Sequence, residues 1–154
     1  MFKKKFTLIL FLFLNSCGFE AIHSLKNSVL YDFSIKELTL TGERNINLRI
    51  KAKLNNYTLV EKDRKFSLEI LSSTVKTTIA KNAAGDATRF QSTLTLDVQA
   101  ITENNYVKNF KVIESFNYDY INNTLDLKRY EREINNNLAE TATDKLIFRL
   151  SNIR

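Results

Sequence analysis

At 154 residues with 44% hydrophobic side chains, the chain has the length of one domain and enough apolar mass to bury a core. Its formal charge of +6 overstates its basicity, because Lys3, Lys4 and Lys5 stand together and the other cations are scattered among acids and asparagines, not clustered with aromatics as in a nucleic-acid binder. One His and one Cys exclude a disulfide framework and fall far short of a His/Cys metal set.

The lysines precede an apolar run from Phe6 to Leu14, interrupted only by Thr7. A spanning helix needs about 20 apolar residues, whereas about 7–15 suit the hydrophobic region of an export signal. The run ends in Leu14-Asn15-Ser16-Cys17, which resembles the bacterial lipobox: an aliphatic residue, a small residue before the cysteine, then the acylated cysteine itself. Residues 1–16 therefore read as a lipoprotein signal peptide and Cys17 as the lipid attachment point, with no cofactor beyond that covalent lipid. Each buried acyl CH₂ contributes about 0.8 kcal/mol, so several chains hold a protein on a bilayer almost irreversibly. Gly18 follows the cysteine where Asp would favour inner-membrane retention, which makes the outer membrane the expected address. Removing residues 1–16 takes three of the 23 basic residues and none of the 17 acids, leaving a mild +3.

Residues 17–32 lack periodicity and read as a lipidated tether, with His23 solvated and alone. The domain is expected over residues 33–154. Residues 33–42 alternate through Phe33, Ile35, Leu38 and Leu40 with a phase change near Glu37, a strand with a bulge stopped at Gly42. Residues 44–57 fit two periods. Ile46, Leu48, Ile50, Ala52 and Leu54 alternate, while Ile46, Ile50, Leu54 and Tyr57 share a helical face. Phe66, Leu68 and Ile70 mark a half-buried strand, and the β-branched stretch after it leads into "NAAGD", where Gly85 supplies a hairpin turn. Phe90, Leu94, Leu96, Val98 and Ala100 then alternate with Gln91, Thr93, Thr95, Asp97 and Gln99, so one sheet face is covered and the other wet. Phe110, Val112, Phe116 and Tyr118 form a last strand. Glu114 falls on their apolar face, which predicts a bulge or exposure near an edge.

From residue 124 the period becomes helical: Leu127, Tyr130, Ile134, Leu138, Ala142, Leu146 and Leu150 form one stripe with Ala139 beside it. Asn123 or Thr124 can cap this helix, with Asp126 at its start and Arg149 and Arg154 at its end matching the dipole. Nothing here assembles a catalytic site. Asp119, Asp126, Glu131 and Glu133 are close in sequence, but three of them belong to a solvated helix face, and no Gly-rich turn precedes a helix for phosphate.

Cys17-Gly18-Phe19, the Gly85-to-Leu94 segment with its aromatic at Phe90, and an aromatic strand running into "LKRYEREINNNLAETATDKLIFRL" together resemble the LPS-assembly lipoprotein LptE family, in order and length over nearly the whole mature chain. The resemblance implies an α+β two-layer sandwich: a mostly antiparallel four-stranded sheet with two helices packed on one face. It makes residues 44–57 helical, and a sheet with one wet face and one stripe-bearing helix needs a second helix to finish its core. It further implies a non-catalytic outer-membrane plug inside an LptD-type β-barrel that supports barrel assembly and binds LPS. Lys76, Lys81 and Arg89 flank the hairpin turn, where they could meet LPS phosphates. The competing reading is an unrelated lipoprotein adaptor or small-ligand carrier on a similar sandwich.

Overall fold

Six elements follow one another: β1 (Ser34–Gly42), α1 (Arg44–Thr58), β2 (Lys65–Lys81), β3 (Ala87–Thr102), β4 (Val107–Asp119) and α2 (Thr124–Ser151). The computed structural model describes residues 31–153, so the signal segment, Cys17, Gly18, His23 and Arg154 lie outside the described residues. The sheet order is β1-β2-β3-β4, with β2–β3 and β3–β4 antiparallel and β1–β2 parallel. Parallel neighbours cannot be joined by a tight turn, and α1 is the crossover that joins these two. The result is an α+β, two-layer domain: a mostly antiparallel sheet with both helices on one face.

The two-period ambiguity of residues 44–57 resolves as a helix. Ile46, Ile50, Leu54 and Tyr57 are buried, whereas Leu48, which alternation would bury, is 56% exposed. In β1 the register shifts between Ile35 and Glu37, so Ile35 and Leu38 both reach the helix layer. Every predicted inward residue of β3 is buried. On α2, Ile134, Leu138, Ala142, Leu146 and Leu150 are buried, and Leu127 and Tyr130 are partly so. Each fully buried Leu or Ile contributes about 1.5–3 kcal/mol, so this single shared core outweighs helix propensity as the reason α2 holds its length. The ends of α2 are closed as well. Asn123 Oδ1 accepts from the amides of Leu125 and Asp126, and Arg64 donates to the carbonyls of Leu150 and Ser151.

Two expectations are corrected. Glu114 neither sits in a bulge nor lies exposed: the β3–β4 register runs unbroken through Leu94 and Glu114, and the carboxylate is 12% exposed with Lys145 Nζ of α2 2.5 Å away. The helix layer supplies its countercharge, which no local pattern reveals. Phe116, expected in the core, is 47% exposed because a groove of about 280 Å³ separates it from Tyr130, Ile134 and Leu138 of α2.

Gly42 ends β1 for a steric reason. Its φ is +95°, and a Cβ there would lie 2.0 Å from the Ser72 carbonyl oxygen. The chain turns away into α1 while β2 and β3 continue.

Candidate functional site: the hairpin that extends beyond β1

The last β1–β2 partners are Gly42 and Ser72, yet β2 runs on to Lys81, paired to β3 throughout. At about 3.3 Å per residue, residues 73–81 carry the hairpin roughly 30 Å beyond β1. β4 accompanies β3 as far as the Arg89–Asp119 pair. The turn is organised by Asn82, whose Oδ1 accepts from the amides of Ala84 and Asp86, while Gly85 takes φ +90° in open space.

A polar-aromatic cluster stiffens this projection from the helix side. Lys76 lies over the Phe90 ring at 3.9 Å and reaches Glu131 of α2 at 2.5 Å. The same carboxylate oxygen accepts from the Tyr118 hydroxyl at 2.8 Å. Burial, and then the hydrogen bond to this carboxylate, push the Tyr118 phenol above its ordinary pKa. Tyr118 packs in turn against Phe90 and, edge-on, against Tyr130.

The other face of the sheet carries no helix. Paired residues share a face, so the outward set of β3 is joined by Ser73, Val75 and Thr77 of β2 and by Ile113, Ser115 and Asn117 of β4. The hairpin half of this face is uncharged up to Arg89, which pairs with Asp119 at 2.8 Å and keeps its proton more firmly for that hydrogen bond. Nearer the base, a concavity of about 510 Å³ lies over Glu69, Leu71, Asp97 and Gln99, with Lys111 paired to Asp97 at 2.8 Å. Val75 and Ile113 are more than half exposed on this face.

Of the three cations singled out in sequence, Lys81 and Arg89 lie together at the hairpin end: Lys81 pairs with Ala87, two residues from Arg89. Lys76 is on the opposite face, committed to Glu131 and the aromatic rings. Lys81 makes no ion pair among the described residues. Sequence reasoning missed Glu131 and Tyr118 as partners of Lys76, since only the packing of α2 on the hairpin brings them together. Among the described residues no three of His, Cys, Asp and Glu converge as metal ligands, and no helix is long and apolar enough to cross a membrane.

This arrangement of a mixed four-stranded sheet backed by two helices is similar in fold to solved bacterial lipoproteins. Solved structures like this chain include rare lipoprotein B from Shewanella oneidensis, 13% identical, TM-score 0.52, over 71% of this chain and 92% of that one. A minor lipoprotein from Acinetobacter baumannii matches with 13% identity and TM-score 0.55, over 79% of this chain and 91% of its own. Lipoprotein B from Nitrosomonas europaea matches with 8% identity and TM-score 0.57, over 80% and 87% respectively. At these identities the likeness is one of fold. No protein-family model and no curated protein sequence matches the chain.

Proposed function

We propose that this protein is a non-catalytic outer-membrane lipoprotein of the LptE kind, anchored through acylated Cys17 and directed outward by Gly18, which plugs and supports assembly of an LptD-type β-barrel and binds LPS on its way to the outer leaflet. The observation that carries the reading is the helix-free sheet face: long, hydrogen-bond-rich and uncharged over its hairpin half, it matches the polar interior of an outer-membrane barrel. The fold shared with solved lipoproteins supports the same class. LPS phosphates would meet Lys81 first, then Arg89 in exchange for Asp119; Lys76 would join them only by leaving Glu131.

The test is depletion of the lipoprotein in its own cell, followed by the heat-modifiable mobility of the large outer-membrane barrel. The expected result is loss of the compact, folded barrel form, restored by the wild-type chain. Normal barrel folding after depletion would overturn the proposal. The groove beside Phe116, of about 280 Å³, favours a small-ligand carrier instead; that reading expects no dependence of any barrel on this chain.

A further inference from the structure

Three stretches of strand edge among the described residues have no neighbouring strand: the outer edge of β4, β2 beyond Ser72, and the outer edge of β1. Open edges invite pairing, and proteins usually guard them. Two of these carry a blocking side chain at one point. Arg149 Nη1 donates to the Lys111 carbonyl of β4 at 2.6 Å. On β2 the Glu43 carboxylate accepts from the Thr74 amide at 2.9 Å and from its hydroxyl, and register breaks between Thr78 and Lys81 interrupt the far end.

Among the described residues β1 carries no such device between Leu38 and Gly42, where its register with β2 is unbroken. The Glu43 amide bonds the Ser72 carbonyl, so by alternation Thr41 and Thr39 face β2 while Leu38 and Leu40 turn their amides and carbonyls outward. Beside this edge lies a groove between β1 and α1, in two adjoining parts of about 460 and 320 Å³ that share Leu40 and Lys51. Half-buried Leu38 and Leu40 form its floor, and Arg44, Leu48, Lys51 and Asn55 its helical wall. α1 contains no acid, and neither Arg44 nor Lys51 makes an ion pair among the described residues.

We propose that the β1–α1 groove is a strand-addition site for an extended segment of a partner protein, with backbone paired to Leu38 and Leu40, alternate apolar side chains on the groove floor, and an acidic side chain facing Arg44 and Lys51. A free edge beside a helix-walled groove is the geometry in which main-chain hydrogen bonds give affinity and alternating pockets give specificity. A second copy pairing β1 with β1 would bring the two sets of Arg44 and Lys51 toward each other, and like charges oppose that arrangement. An anionic lipid would use the cations and leave the edge unpaired.

The experiment is fluorescence anisotropy with the labelled peptide ETVTVTVTE, whose alternate residues present Glu and Val on one face, titrated with the full-length lipoprotein in nonionic detergent. Saturable binding in roughly the micromolar range is expected. Leu40→Pro removes an outward amide and no ladder bond, and Pro is tolerated on edge strands; it should weaken binding about tenfold or more, as should Arg44→Glu with Lys51→Glu. A peptide N-methylated at alternate positions should not bind, and this arm holds even if Leu40→Pro unfolds the domain. Equal binding of the methylated peptide, indifference to charge reversal, or no saturable binding up to about 1 mM would overturn the proposal. So would displacement of the peptide by phosphatidylglycerol in mixed micelles with the detergent, or self-association that Leu40→Pro abolishes.

Discussion

Gly42→Ala and Gly85→Ala place the same methyl group at two backbones of the same hand, with φ +95° and +90°, and should differ sharply in cost. At Gly85 nothing lies within 4 Å of the new Cβ, so only the conformational penalty of a left-handed L-residue applies, about 1–2 kcal/mol. At Gly42 the Cβ would stand 2.0 Å from the Ser72 oxygen and 2.9 Å from its carbon, both backbone atoms of the neighbouring strand. One strand must then move by at least about 1 Å in a close-packed layer. That movement strains the Glu43 amide bond to the Ser72 carbonyl at 3.3 Å and the Glu43 contacts to Thr74. Overpacking adds about 1–3 kcal/mol and each weakened hydrogen bond about 1, for a total of roughly 3–6 kcal/mol. Urea unfolding of the full-length protein in detergent, followed by circular dichroism, reads both variants. Equal midpoints for the two would refute the argument that Gly42 is where β1 must end.

Lys145→Ala removes the countercharge of Glu114, whose side chain is only 12% exposed in the wild-type fold, and should cost about 1–3 kcal/mol, while Glu114→Leu should be neutral or stabilising; equal losses in thermal melts would contradict this. Tyr118 and Tyr57 both hold their protons more firmly folded than unfolded, foremost because they are buried. Their contribution is therefore full below about pH 10 and declines above it, and Tyr118→Phe should flatten the alkaline fall of the urea midpoint; an unchanged slope would count against it. Charge reversal by Lys81→Glu with Arg89→Glu should weaken LPS binding about tenfold or more at low salt, and unchanged binding would remove the hairpin end as the LPS contact.

Legibility in the sequence followed the range of the interactions. β3 and α2 were readable because one period runs through each: Phe90 to Ala100 alternate, and Ile134 to Leu150 recur every four residues on one buried stripe. The phase change near Glu37 was readable for the same local reason. α1 was not, since its apolar residues satisfy both periods; the deciding fact is that Leu48 is exposed while Ile46 and Ile50 are buried. The pairings of Glu114 with Lys145 and of Lys76 with Glu131 join residues of different elements, and nothing in the neighbouring sequence marks them. Nor does composition show that β1 stops opposite Ser72, which is what makes the hairpin project and leaves Lys81 at its end.

The measurement that bears most directly on the central claim is an affinity pulldown of the tagged, full-length lipoprotein from detergent-solubilised outer membranes, with mass spectrometry of its partners. A large β-barrel recovered in stoichiometric amount and retained in high salt is the expected result. Recovery of correctly acylated protein with no barrel would contradict the plug and assign this fold to a different lipoprotein task.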